Sequence, residues 1–182
     1  TTRRLEKESS RNQKIIDTAF QIFVERKIEP VSMGEIAEAA GIGRATLFRC
    51  YSSKLELVIA VCAAKWKAYL DELDAKRPIS SIGDIPAIDR FVFTLDSYID
   101  MYQRHKDLLQ YNDNFNHYVT HEGAAQEQLV DFNRSLYSAN TRFHLMYEKA
   151  KEDGTFRTDI PEDIFFRVTL HLSLIHISEP TR

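Results

Sequence analysis

The stretch that decides the fold is SMGEIAEAAGIGRATLFRCYSSK, residues 32–54. Ser32 stands three residues before Glu35, a spacing typical of a capping box at the start of a helix. Gly41 follows the apolar positions of that helix, where glycine can end it in the left-handed conformation. A second short helix is predicted over about residues 44–51. Two short helices across a tight turn indicate a helix-turn-helix unit, whose second helix fits the major groove of DNA.

Apolar side chains on both sides of this unit predict two longer helices that would bury it. The first is predicted to begin near Ser10, because Ser10 and Gln13 have capping-box spacing. The polar residues before it, 1–9, are expected to form a flexible arm. The other is predicted to begin at Ser53, which has the same spacing to Glu56. The face of the first helix predicted to be buried consists of Ile15, Ile16, Ala19, Phe20, Phe23 and Val24.

Composition and charge narrow the class of protein. The chain has 182 residues, of which 43% are hydrophobic and 28% charged, as in ordinary globular proteins. No run of 18 apolar residues occurs, so no membrane span is expected. Two cysteines support neither a disulfide framework nor a four-cysteine zinc site, which favours a cytoplasmic setting. Residues 1–55 carry a formal charge of +3 and the remainder −6, as expected if only one end meets phosphate.

The remainder of the chain is predicted to be helical, since it lacks the alternating pattern of strands. A segment rich in proline, serine and glycine over residues 71–89 marks a loop. Beyond it, helices are predicted over about residues 85–105, 106–121 and 124–152, with a last helix whose first turn contains Pro161. The ending SLIHISEPTR looks like a translated cloning adapter, so residues 174–182 are expected to be a non-native tail.

Residues 11–66 resemble the N-terminal domain of the TetR family of transcriptional regulators. The resemblance implies an all-α fold, with a helix-turn-helix DNA-binding domain over residues 10–55. A larger, incomplete helical domain for ligand binding and dimerisation would follow over residues 56–173. The matching positions are Ile16, Ala19, Phe23, Glu35-Ile36-Ala37, Ala40-Gly41-Ile42, Thr46-Leu47-Phe48 and Tyr51-Ser52-Ser53-Lys54-Leu55.

Five positions depart from the family's usual residues. Lys27 stands where the family often has glycine, and Gly34 where it usually has a charged residue. Gly43 replaces a frequent serine at the entry to the second helix of the motif. Phe48 and Cys50 stand where the family commonly has tyrosine and either histidine or tyrosine. Because Phe48 has no hydroxyl, it cannot donate a hydrogen bond to phosphate.

The predicted DNA contacts lie on and just after the second helix of the motif. Arg44 and Arg49 are the candidate base-contacting residues, since arginine can bond guanine O6 and N7 together. Thr46 and Lys54 match family positions that contact phosphate, which sets register rather than sequence preference. The complete predicted set is Arg44, Ala45, Thr46, Phe48, Arg49, Cys50, Tyr51 and Lys54.

Aromatic residues in the C-terminal part are a candidate ligand pocket, as helical bundles host such sites between their helices. For each single residue, ordinary core packing is the competing interpretation. The resemblance adds a small hydrophobic or aromatic effector whose binding would alter the spacing of two recognition helices. The candidate residues are Trp66, Tyr98, Tyr102, Tyr111, Phe115, Phe132, Asn133 and Tyr137, with Asn112 and His144 as further orienting groups.

Three hypotheses follow from these patterns. The first is a ligand-responsive repressor that binds a palindromic operator as a homodimer. The second is a DNA-binding regulator whose body only dimerises or binds a protein partner. The third, least favoured, is a catalytic or ligand-binding bundle with a vestigial helix-turn-helix. His117 and His121 have the four-residue spacing of metal ligands, but no third ligand is evident. Neither an enzyme motif nor a cofactor motif is found, so no enzyme, cofactor or metal is expected.

Overall fold

A computed structural model describes residues 2–78, 84–135, 137–155 and 157–169, and all regular structure within these ranges is helical. This confirms the all-α prediction. The α-helices are α1 (Thr2–Arg26), α2 (Met33–Ala39), α3 (Arg44–Cys50), α4 (Lys54–Lys76), α5 (Ala87–Arg104), α6 (Lys106–His121), α7 (Val130–Ser135), α8 (Tyr137–Asp153) and α9 (residues 162–169), with a 3₁₀ turn at Gln126–Leu129 before α7. None of these helices has the length and apolar character that crossing a bilayer requires. The tail predicted over residues 174–182 lies outside the described residues.

The chain forms two compact units. The first comprises Thr1–Ala68 and Asp107–Ser135, so it combines α1–α3 and most of α4 with α6 and α7. The second comprises Tyr69–Lys106 and Leu136–Arg182, and contains α5, α8 and α9. Helix α4 runs without interruption through residues 55 and 56, where the sequence places a domain boundary.

Helix α1 is longer at its N-terminus than the sequence pattern indicates. It begins at Thr2, which corrects the prediction of a flexible arm over residues 1–9 and places Ser10 inside the helix rather than at its cap. The added turns contain arginine, leucine, glutamate and lysine, which are strong helix formers. Packing does not explain the extension, since Leu5 is 61% exposed. Intrinsic propensity therefore continues the helix beyond its buried face.

The first unit encloses one continuous hydrophobic core. Helix α1 contributes Ile15, Ala19 and Phe23, all fully buried, and α4 contributes Leu57 and Val58. Aromatic residues of α6 belong to the same core, with Tyr111 and Phe115 among its largest buried side chains. Burial of such side chains stabilises a fold by about 1.5–3 kcal/mol each. The short helices α2 and α3, which could not persist alone, are held by this core.

The second unit has its own smaller core between α5 and α8. Ala87 of α5 and Met146 of α8 are buried in it, and Phe165 of α9 packs against them. The carboxylate of Asp153, at the end of α8, accepts a hydrogen bond of 2.8 Å from the backbone N–H of Ala87. That bond lowers the pKa of the Asp153 carboxyl group. The end of α8 thus satisfies a backbone donor in the first turn of α5.

Lys27, immediately after α1, has a left-handed backbone with φ of 64°. This conformation costs an L-residue about 1–2 kcal/mol, whereas glycine adopts it readily. Replacing Lys27 with glycine is therefore expected to raise the free energy of unfolding by about 0.5–1 kcal/mol, after allowance for the greater freedom of glycine in the unfolded chain. Urea unfolding would measure the change.

The control is Glu25→Gly, inside the last turn of α1, where glycine should lower stability by about 1 kcal/mol. A loss of stability in both variants would contradict the account given for Lys27.

Candidate DNA-binding site

The turn between α2 and α3 is fixed by local hydrogen bonds that the sequence predicts. At the start of α2, the backbone N–H of Ser32 donates to Glu35 Oε2 at 2.8 Å, and the N–H of Glu35 donates to Ser32 Oγ at 3.3 Å. At its end, Gly41 is left-handed with φ of 67°. The N–H of Ile42 then donates to the carbonyl of Ala37 at 2.9 Å, which closes a Schellman motif. The capping box and the glycine turn are both confirmed.

Helix α3 is anchored by a single buried side chain. Leu47 is fully buried in the core of the first unit. Gly43 caps the helix through its backbone, with its carbonyl accepting from the N–H of Leu47 at 3.1 Å. Because one residue in seven faces inward, most of α3 remains available to a partner. The residues exposed on α3 are Arg44, Ala45, Phe48 and Arg49, with Thr46 and Cys50 half-buried.

The exposed surface of α3 combines positive charge with an apolar group. Arg49 Nη2 donates to Thr46 Oγ1 at 3.1 Å. Among the described residues, no carboxylate lies within ion-pair distance of Arg44 or Arg49. Phe48 is 49% exposed beside them. Unneutralised guanidinium groups suit phosphate or guanine, and an exposed phenyl ring suits a thymine methyl group.

Two predicted DNA contacts are engaged within the protein. Tyr51 is 6% exposed, and its hydroxyl donates to Asn12 Oδ1 of α1 at 2.7 Å. Burial raises the pKa of this hydroxyl. Lys54 Nζ donates to the carbonyl of Glu29 at 2.9 Å and lies 5.3 Å from the centre of the Tyr118 ring. Burial lowers the pKa of the Lys54 ammonium group. Tyr51 thus ties α3 to α1, while the half-buried Lys54 links the loop after α1 to α6.

The capping box makes the start of α2 sensitive to acid. The backbone N–H and hydroxyl of Ser32 hold the pKa of Glu35 at about 2, with a smaller effect from Arg26. A carboxylate with a lowered folded-state pKa stabilises the fold above its unfolded pKa and loses this contribution as pH falls through the folded value. We expect the contribution to fade between about pH 4.5 and pH 2. Chemical unfolding at a series of pH values would measure it.

Glu35→Gln is the matched variant, because glutamine can still accept in a capping box but does not titrate in this range. The stability difference between the parent and Glu35→Gln should shrink as pH falls from 5 to 2 (about the window set by the two pKa values). A difference independent of pH would contradict this role of Glu35.

Five of the predicted ligand residues lie in the first unit, and four of them, Trp66, Tyr111, Phe115 and Phe132, belong to its core or pack against it. The ring of Phe115 lies 4.9 Å from that of Phe132, centre to centre. The fully buried hydroxyl of Tyr111 donates to the carbonyl of Val58 at 2.8 Å. Burial raises its pKa well above the usual value. Trp66 Nε1 donates to Asn112 Oδ1 at 3.0 Å, so these polar groups already have partners inside the protein.

The other predicted ligand residues are distributed differently. Tyr98 and Tyr102 lie on α5 in the second unit, where burial raises the pKa of Tyr98 to about 12. Tyr102 is 42% exposed, with Lys106 Nζ 5.3 Å from its ring centre. Asn133 of α7 is exposed. Tyr137 begins α8, and its side chain lies outside the described part of the structure.

Within the described residues, the second unit contains two groups of three side chains, each close enough together to hold a metal ion. They are Glu72, Asp100 and His105, and His144, Glu148 and Glu162. In the first group, Lys76 pairs with Glu72 at 2.9 Å and Arg104 pairs with Asp100 at 2.6 Å. These cations neutralise the carboxylates that a metal would need. The predicted pair His117 and His121 is exposed on α6 and belongs to neither group.

Sequence patterns missed two contacts at this site. The hydrogen bond from Tyr51 to Asn12 joins residues 39 positions apart, which no local pattern reveals. The guanidinium group of Arg44 lies against Gly34 of α2. A glycine inside a short helix was the available signal, since glycine is a poor helix former.

An all-α chain with a capped helix-turn-helix and a cationic exposed helix defines a class, the helix-turn-helix DNA-binding proteins. Residues 15–61 match the model described as bacterial regulatory proteins, tetR family. The HTH-type transcriptional repressor KstR2 of Rhodococcus jostii (strain RHA1) is 28% identical over 166 residues, which are 87% of this chain and 74% of that protein. These matches support the predicted resemblance of the chain to the TetR family of transcriptional regulators.

Solved structures show the same fold along most of the chain. The ketosteroid transcriptional regulator KstR2 of Mycobacterium tuberculosis matches with a TM-score of 0.62 and 18% identity, covering 94% of this chain and 86% of that one. The regulator FadR of Bacillus subtilis in complex with stearoyl-CoA matches with a TM-score of 0.68 and 13% identity, covering 91% and 84%. The TetR-like fold, a helix-turn-helix followed by further helices, is therefore confirmed.

Proposed function

We propose that this chain is a ligand-responsive repressor that binds a palindromic DNA operator as a homodimer. The observation that carries the DNA-binding part is the exposed surface of α3, where Arg44 and Arg49 have no carboxylate partner among the described residues. Lys54 and Thr46 would contact phosphate beside them. Since one helix-turn-helix contacts only a few base pairs, two copies would provide the specificity, with half-sites about 34–36 Å apart or at multiples of that distance.

The proposal places the DNA-binding domain at residues 10–55 and regulation in the helices that follow, in the cytoplasm. The effector class is suggested by two similar proteins, a ketosteroid regulator and a regulator solved with stearoyl-CoA. Each name points to a molecule with a large apolar group, a steroid ring system in one case and a long acyl chain in the other. The candidate residues for such a ligand are the aromatic Trp66, Tyr98, Tyr102, Tyr111, Phe115, Phe132 and Tyr137, together with Asn133. Control requires that the effector bind the DNA-competent and DNA-incompetent forms with different affinity.

The second candidate is a regulator whose body only dimerises or binds a protein partner. It is favoured by the complete burial of Tyr111 and Phe115, which leaves these two candidate ligand residues packed as core. Under this alternative, small molecules would leave DNA affinity unchanged.

Selection from a random double-stranded DNA pool would test the proposal. Enrichment of a palindrome supports homodimeric operator binding, and enrichment of nothing above random sequence refutes it. Addition of a steroid or a long-chain acyl thioester to the complex then separates the two candidates. Release of DNA at constant salt favours the ligand-responsive repressor, because salt itself changes DNA affinity steeply.

A further inference from the structure

Gly34 is in contact with the guanidinium group of Arg44. A Cβ atom built on Gly34 would lie 2.2 Å from Arg44 Nη2, and 2.7 Å from both Cζ and Nε. Real Cβ atoms essentially never approach other heavy atoms this closely. The guanidinium group therefore occupies the space that any side chain at position 34 would take.

The backbone does not account for a glycine at this position. The described glycines with positive φ are Gly41, Gly123 and Gly154, so Gly34 adopts a conformation open to every L-residue. Glycine is also the weakest helix former after proline, and α2 has only seven residues. What glycine provides here is room beside the backbone of α2. In the structure, the guanidinium group of Arg44 occupies this space.

The position of Arg44 depends on this room, because no carboxylate among the described residues holds the guanidinium group elsewhere. Arg44 is the first residue of α3, and Gly34 is the second residue of α2. With Gly34, the arginine side chain lies back across α2. With any larger residue, it must swing away from α2 and leave α3 in a different direction. The same arginine would then meet a different part of the DNA.

We propose that Gly34 is a specificity-determining residue, which acts by positioning the guanidinium group of Arg44 against α2. This inference rests on the proposed DNA-binding function of α3. It assigns to α2, which is not predicted to contact a base, control over the base pair that Arg44 contacts. Replacement of Gly34 by a larger uncharged residue would therefore alter operator preference although the charge of the protein stays the same.

The test is a double-mutant cycle of Gly34→Ala and Arg44→Ala in the full chain, with DNA selection and affinity for the parental site as readouts. Gly34→Ala is expected to change the preferred base at one position in each half-site and to weaken binding to the parental site about tenfold, within the range for one bidentate base contact. In the Arg44→Ala background, Gly34→Ala should change neither quantity, because the displaced group is gone.

Thermal unfolding controls for damage to the fold. Alanine favours helix over glycine, so the unfolding midpoint of Gly34→Ala should equal or exceed that of the parent in the absence of DNA. Unchanged base preference in Gly34→Ala would overturn the inference, as would an equal loss of affinity in both Arg44 backgrounds. A parental chain that enriches no site would instead refute the proposed function, and the inference with it.

Discussion

Replacing Tyr111 with alanine is expected to lower the free energy of unfolding by about 3–5 kcal/mol, the range for buried aromatic residues. The Tyr111 ring is fully buried, with its centre 5.4 Å from that of Phe20 and 6.1 Å from that of Phe23. Its removal would leave a cavity where α6 meets α1. Urea unfolding followed by circular dichroism would measure the loss.

Tyr111→Phe is the matched control, since it keeps the ring and removes only the hydroxyl group that donates to the Val58 carbonyl. Its expected cost is about 0.5–1.5 kcal/mol, the net value of one hydrogen bond. The pair of variants also tests whether Tyr111 is a residue of the packed core or lines a ligand pocket. A loss below about 1 kcal/mol in Tyr111→Ala would show that the site is open enough to relax and would return Tyr111 to the candidate ligand residues.

Arg44→Ala should weaken binding to the preferred DNA site by about 1–3 kcal/mol, which corresponds to between about fivefold and about 150-fold in Kd. It should also relax the preference at one base position. The reason is geometric, since a guanidinium group can bond two acceptors of guanine at once and alanine can bond none. Titration of specific and random duplexes at one salt concentration would measure both effects.

Lys54→Ala provides the contrast. A phosphate contact has no sequence preference, so its loss should weaken binding to all duplexes alike. Unfolding must be measured in parallel, because Lys54 also donates to the Glu29 carbonyl. If both variants lost affinity equally on specific and random DNA, the assignment of Arg44 to bases and Lys54 to phosphate would be wrong.

Local patterns predicted the helix-turn-helix because its hydrogen bonds join near neighbours. Ser32 and Glu35 are three positions apart. Gly41 adopts the left-handed conformation because glycine has no Cβ atom, which is a property of that residue alone. The third capping box differs in detail. The N–H of Glu56 donates to Ser53 as expected, but the Glu56 carboxylate accepts from the backbone and hydroxyl of Ser52. Residue spacing alone cannot distinguish a capping partner at Ser53 from one at the neighbouring Ser52.

Contacts between distant parts of the chain were beyond these patterns. The apolar residues of α6 indicate a buried face, but Tyr111 finds its partner Val58 at a separation of 53 positions. The N-terminal turns of α1 were missed for the opposite reason, because propensity there outweighs the absence of an apolar face. The position of the Arg44 guanidinium group depends on the absence of a Cβ atom at Gly34 in α2. Hydrophobic periodicity does not reveal such a contact.

The membership of α6 in the first unit sets a limit on engineered chimeras. A graft that transferred only residues 1–68 to a foreign sensor would leave behind Gln110, which donates to the carbonyl of Val24 at 3.2 Å. It would also leave the rings of Phe20 and Phe23 without the ring of Tyr111. Such a fusion would expose apolar surface that is normally buried and would therefore be prone to aggregation. The smallest transplantable DNA-binding module of this chain is therefore discontinuous, with residues 107–135 carried alongside 1–68.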